Sequence, residues 1–273
     1  KTATLHRGSI LNMPDLLLTV WSVSALIMGL LWAVQLKTQN AGIVDVAWSF
    51  LTPLVACALI LFDTSPDSTR QYIILMLAVV WGFRLGAYLY GRVMHEVEDG
   101  RYRHMRKASG RYAAPVMFVF FQVQATWTLL FAMPFWAAAQ NTSEGLSLLD
   151  VLGISIWLIS IAGEVISDRQ LAAFRMNPAN KGKVCQVGLW QYSRHPNYFF
   201  EWLHWWSYVL IGFGSAYWWL TWLGLVVMFV FITRITGIPY TEQQSLRSRG
   251  QAYVDYQNST NAFFPFPRKA TRK

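Results

Sequence analysis

Apolar runs of about 20 residues recur along this chain at 14–36, 43–62, 71–91, 115–139, 148–172, 197–213 and 216–235, with short polar segments between them. A helix of about that length spans the roughly 30 Å hydrocarbon core of a bilayer. The pattern therefore predicts an all-α polytopic membrane protein with seven transmembrane helices. The fourth run opens at Pro115, a residue suited to the first helical position. Only Gly212-Phe213-Gly214-Ser215 separates the last two runs, which predicts a tight helical hairpin.

Composition agrees with the pattern. Of 273 residues, 54% are hydrophobic and 14% charged, with 14 Trp and 17 Phe, too apolar for an ordinary soluble domain. No internal repeat or low-complexity linker divides the chain, so residues 1–273 read as one membrane domain. Cys57 lies in an apolar run and Cys185 in a basic loop, a separation that implies reduced thiols rather than a disulfide framework. Lys1 to Pro14 lack the order of a secretory signal, and no cleavage is expected there.

Charge orients the runs. With the N-terminus outside and the C-terminus cytoplasmic, the inner segments are 37–42, 92–114, 173–196 and the tail from 236. They carry Lys37; Arg92, Arg101, Arg103, Arg106, Lys107 and Arg111; Arg175, Lys181, Lys183 and Arg194; and Arg247, Arg249, Arg268, Lys269, Arg272 and Lys273. The outer loops hold a single Arg70 against Asp63, Asp67 and Glu144. This is the positive-inside distribution, and it requires an odd number of crossings. Most of the +9 formal charge is thus explained by orientation, the rest being left for an anionic ligand or the head groups of membrane lipids. Neither nucleic acid nor an obligate protein partner is implied.

Several polar residues are out of place in so apolar a chain. In the sixth run Asn197, Glu201, His204 and Tyr208 follow at spacings of 4, 3 and 4 and share one helical face. They form either a packing network between helices or, with the preceding Arg194-His195, a ligand site. At the end of the fifth run Glu164, Asp168 and Arg175 line another face. Ser167 and Asp168 there suit a ribose hydroxyl, or Asp168 pairs with Arg169 or Arg175. Asp45 and Trp48 share a face of the second run, and Arg84 stands in the third with Tyr88 one turn on. Asp45 either caps its helix or faces substrate; Arg84 either snorkels or does the same. No G-x-G-x-x-G, phosphate-binding loop, H-E-x-x-H or paired-cysteine metal motif occurs, and no metal site is expected.

The run Gly188-Leu189-Trp190-Gln191-Tyr192-Ser193-Arg194-His195-Pro196-Asn197-Tyr198-Phe199-Phe200-Glu201, preceded by Ser167-Asp168, resembles the C-terminal region of membrane steroid 5-alpha-reductases. The likeness is closer to their bacterial relatives of the DUF1295 type, which share sequences like Val44-Asp45-Val46-Ala47-Trp48, Trp81-Gly82-Phe83-Arg84-Leu85 and Asn261-Ala262-Phe263-Phe264-Pro265. It implies about seven helices in a bacterial inner membrane and reduction by NADPH of a carbon–carbon double bond conjugated to a ketone. The lipophilic substrate would lie among helices 14–139 and the cofactor against residues 140–273. Carried over residue by residue, Asp168, Arg175, Tyr192, Asn197 and Glu201 match the cofactor side, with Arg194, His195 and Tyr198 beside them. Arg84 matches an arginine near the substrate, and Asp45 and Trp48 stand where the steroid enzymes carry a Gln-Glu pair. Trp81 replaces their tyrosine, and Gly237-Ile238-Pro239-Tyr240 replaces a histidine run. A second resemblance is to isoprenylcysteine carboxyl methyltransferases and related phospholipid methyltransferases, which use S-adenosylmethionine. It rests on R-H-P-x-Y and on a tail with Glu242, Leu246, Gly250, Tyr253 and Tyr256.

Overall fold

The computed structural model describes residues 12–63 and 69–268, and among these it is helical throughout, with no strand. The chain before Asn12, and Asp67, Lys269, Arg272 and Lys273 of the charge pattern, lie outside the described residues. Among the described residues six helical stretches are long and apolar enough to cross a membrane: Met13–Thr38, Ile43–Phe62, Thr69–His95, Gly100–Ala139, Leu148–Met176 and Trp218–Arg249. The protein is an integral membrane protein. Its chain divides into two compact units, Lys1–Gly145 with Gly212–Leu223, and Leu146–Ile211 with Gly224–Lys273.

The first unit contains α1 (Met13–Thr38), α2 (Ile43–Phe62), α3 (Thr69–His95), α4 (Gly100–Ser109) and α5 (Ala113–Ala139). Asn12 caps α1 by accepting the Asp15 N–H at 3.0 Å, and Gln39 ends it in the left-handed conformation at φ 53°. Pro53 lies inside α2, where it cannot donate to the Ser49 carbonyl one turn back. Gly82 of α3 sits over that place: a Cβ there would fall 2.4 Å from the Pro53 ring and 2.6 Å from the Ser49 carbonyl. Gly86 likewise receives the Phe50 ring. Small residues thus let α2 and α3 approach closely, which is how helices associate where no hydrophobic force drives them together. Helix α4 was not visible as an apolar run, because it lies in the basic segment 92–114 and has Tyr102 as its one fully buried residue.

The second unit contains α6 (Leu148–Met176), α7 (Pro196–Leu203), α8 (Trp205–Ile211), α10 (Ile238–Arg249) and α11 (Gln251–Ser259), and α9 (Trp218–Val230) enters it at Gly224. A reciprocal Ser147–Asp150 capping box starts α6. The run 197–213, expected as a single helix, is two. His204 Nδ1 donates to the Glu201 carbonyl, the acceptor an unbroken helix would offer to the Trp205 N–H, and the ladder restarts with Ser207 N–H donating to the His204 carbonyl at 3.1 Å. Both pieces still pack on α6, where Gly163 admits the Phe200 ring and Gly153 admits Ile211. Helix α9 closes in a π-turn at Phe231–Ile235, after which Gly237 opens α10.

Candidate functional site

The loop from α6 to α7 is fastened at three places. Gly188 has φ 56°, and a Cβ there would fall 2.2 Å from the Gln170 side chain, so only glycine serves. Leu189 N–H donates to Gln170 Oε1 at 2.8 Å and Trp190 Nε1 to the Ser167 carbonyl at 2.9 Å, which ties Gly188-Leu189-Trp190 to α6. Ser167, considered above for a ribose contact, is fully buried and gives its hydroxyl to the Gly163 carbonyl. The third fastening is the tail. Tyr256 donates to the carbonyls of Trp190 and Ser193, Ser193 Oγ donates to the Phe263 carbonyl at 2.8 Å, and Arg194 N–H donates to Asn261 O at 2.9 Å. Asn261-Ala262-Phe263-Phe264-Pro265 is therefore a strap laid along Tyr192-Ser193-Arg194.

Arg194 and His195 turn inward beneath this strap. Arg194 Nε donates to Glu242 Oε1 at 2.6 Å, and its Nη1 donates to the carbonyls of Gln257, at 3.1 Å, and Thr260. His195 Nε2 is 3.3 Å from the same Glu242 oxygen, and its ring stacks on Tyr198. Burial holds the His195 imidazole below its ordinary value, although the bond to Glu242 pulls the other way. The imidazole is thus neutral at pH 7 and donates from Nε2. Burial likewise pushes the Tyr253 hydroxyl up to about 12, so it stays protonated.

Above this network lies a more open edge. Asn197 Nδ2 donates to Asp168 Oδ1 at 3.2 Å, while Asn197 Oδ1 accepts the Tyr198 N–H at 3.0 Å. Asp168, Asn197 and Tyr198 are each half-buried, whereas Glu201, one turn on, is buried with His204 Nδ1 3.9 Å from its carboxylate. Tyr192 is exposed. Arg175, two turns beyond Asp168 on α6, is exposed and keeps other company: its charge and that of Arg249 both act on Cys185, whose thiol burial pushes up. The structure thus joins Asp168 to Asn197, joins Arg194 to His195, and sets Arg175 apart. Two further residues enter, Glu242 and Arg249. Glu242 is the only carboxylate in α10, a signal readable in the sequence; the nearness of Arg249 to Arg175 has no such signal.

In the first unit Asp45 turns toward α4. Tyr102 Oη donates to Asp45 Oδ1 at 2.7 Å, and Arg101 bridges Asp45 Oδ2, at 3.3 Å, to Asp99, at 3.1 Å. Burial by itself would raise the Asp99 carboxyl, but the charge and hydrogen bonds of Arg101 outweigh it and hold the group below its ordinary value. A cleft of about 40 Å³, enough for a few waters, opens beside Asp45 between Asn40, Arg92, Glu96 and Arg101. Trp48, one turn along α2, points elsewhere. Its ring meets Phe131 edge-on at 5.3 Å and Trp81 at 6.0 Å, and its Nε1–H is buried with no acceptor among the described residues. Arg84, one turn after Trp81, is half-buried.

This is an all-helical integral membrane protein with a strapped polar loop in one unit and an aromatic cluster in the other. A family model described as "Protein of unknown function (DUF1295)" matches residues 31–260, and the chain belongs to that family. An uncharacterized protein of Schizosaccharomyces pombe is similar to it, with 25% identity over 273 residues, 89% of this chain and 78% of the relative. No solved structure matches.

Proposed function

We propose that this protein is an NADPH-dependent membrane reductase that saturates a carbon–carbon double bond conjugated to a ketone in a steroid-like or other lipophilic substrate. The observation that carries the reading is the Trp48 indole, a buried donor with no acceptor among the described residues, walled by Trp81 and Phe131. Leaving such a group unmade costs about 1–3 kcal/mol. A fixed donor in an apolar wall is also what an enone needs, because negative charge grows on its carbonyl oxygen as hydride reaches the β-carbon. Asp45 and Arg84 complete the substrate side in this reading.

NADPH, when bound, would supply the hydride, and water would supply the proton that the α-carbon takes up. Arg175 and Arg249 suit its phosphates, as guanidinium forks do. Asp168, Asn197 and Glu201 suit ribose hydroxyls and the carboxamide, and Tyr192 and Tyr198 flank them. Arg194 and His195, held by Glu242, shape the loop from below. In the same reading the chain crosses a bacterial cytoplasmic membrane seven times, N-terminus outside and C-terminus inside. The sixth crossing is α7 and α8 together: their notches at Gly163 and Gly153 are ten residues apart, about 15 Å along α6.

One observation favours a second reading, an S-adenosylmethionine-dependent methyltransferase. The tail glutamate Glu242 closes on Arg194-His195, and both belong to the motifs that resemble those enzymes. Thermal unfolding in detergent separates the two. A ligand at about 100 times its dissociation constant adds roughly 2.7 kcal/mol, and we expect NADPH to give this while S-adenosylmethionine does not. The opposite preference would reject the reductase. Trp48→Phe keeps a ring and removes the donor; it should slow enone reduction by about 100- to 1000-fold with NADPH stabilisation unchanged.

A further inference from the structure

Helix α4 has two faces, and the structure uses only one. On the inner face Tyr102 is buried and bonded to Asp45, Met105 packs against the core, and Arg101 and Arg106 reach Asp99, Asp45, Gln35 and Glu98. The acids of the preceding turn are thereby consumed: Glu98 and Asp99 by these arginines, and Glu96 by Arg92 at 3.4 Å. The outer face carries Arg103 and Lys107, four residues apart, and Arg111 in the turn that follows, all exposed. Among the described residues no carboxylate pairs with any of the three. Arg111 lies over the Tyr112 ring at 4.8 Å and donates to its hydroxyl at 2.7 Å.

The depth of this face follows from α5. Its exposed residues from Val116 to Val123 are all apolar: Val116, Phe118, Val119 at 60% and Val123. That hydrocarbon-facing strip begins five residues after Arg111, about 7.5 Å along a helix axis. Arg111 and the aromatic Tyr112 therefore stand at head-group level, where aromatic belts and cationic side chains collect. At the near end of the same elbow Met94 and Val97 are exposed, Val97 at 81%, an apolar tip fitted to the same boundary.

We propose that Arg103, Lys107 and Arg111, with Tyr112 at their foot, bind the head-group phosphate of an anionic phospholipid. Charge complementarity at a fixed depth carries the assignment, and it does not rest on the reductase reading.

The test uses the full chain in neutral detergent at low salt. Stabilisation against heat is titrated with phosphatidylglycerol and with phosphatidylcholine of the same acyl chains. Each cation near an anionic head group is worth about a fivefold gain, so phosphatidylglycerol should bind roughly a hundredfold more tightly. Arg103→Gln/Lys107→Gln/Arg111→Gln should reduce that affinity to the phosphatidylcholine value while stabilisation by NADPH stays as in the parent. Equal affinity for the two lipids, or a preference that survives the triple substitution, overturns the proposal. Stabilisation by inorganic phosphate alone would give the face to free phosphate instead, and a parallel loss of NADPH stabilisation would give it to the nucleotide; either rejects the lipid. If the triple variant fails to fold, Lys107→Gln decides: about fivefold weaker phosphatidylglycerol binding with phosphatidylcholine unchanged supports the site, and no change rejects it.

Discussion

Asn197 spends its amide on Asp168 and its carbonyl on the Tyr198 N–H, so it joins α6 to the start of α7. A nucleotide bound at this edge would meet both residues. We expect Asn197→Ala and Glu201→Gln to remain folded and monodisperse with NADPH affinity lowered about tenfold or more, since a hydrogen bond to a charged group contributes about 1.5–3 kcal/mol. Normal affinity in folded variants would remove these residues from the site. The sequence spacing placed Asn197 and Glu201 on one face correctly, because a 3.6-residue period needs no tertiary information. It left Asp168 open between a sugar contact and an arginine partner, and the structure adds a partner that neither alternative named, Asn197. Asp45 shows the limit more sharply: capping its helix or facing substrate were the two readings, whereas its carboxylate meets Tyr102 and Arg101, 57 and 56 residues away.

Among the elements, glycine notches decide where helices sit. Phe200 enters α6 at Gly163, where an added Cβ would lie 2.5 Å from the ring, so Gly163→Leu forces the helices apart. Overpacking of this kind costs about 1–3 kcal/mol. A lower unfolding temperature is expected for Gly163→Leu, with partial recovery when Phe200→Ala is added; a double variant no better than the single one would mean that the notch does not receive that ring. The apolar runs located the long helices to within a few residues, since burial in lipid demands uninterrupted backbone hydrogen bonding over a whole span. They missed α4, α10 and α11, which are polar and short, and they missed the break at His204. That break depends on one imidazole competing for one carbonyl, a contest that hydropathy does not record.

For the molecule as a whole, sidedness is the property on which every assignment of a cytosolic cofactor rests. With Cys57→Ser and Cys185→Ser as background, cysteines at the exposed positions Ala108 and Ala179 should react with an impermeant reagent only from the cytoplasmic side, and one at Thr142 only from the other. Labelling of Ala108→Cys and Thr142→Cys from the same side would remove the crossing by α5 and the orientation with it. The class of the protein and the sign of its loops could be read from composition and order alone, because transfer into hydrocarbon and the positive-inside bias act on each segment nearly independently. The motifs around Gly188 and Asn261 could be seen in the same way, but not that one is strapped onto the other by Tyr256, Ser193 and Arg194. Nor could the division of the basic residues, with Arg101, Arg106 and Arg194 locked to carboxylates and Arg103, Lys107 and Arg111 left facing outward. A charge in a sequence carries only its sign. Which charges are neutralised and which remain for a ligand is settled by residues far apart in the chain, brought together by packing.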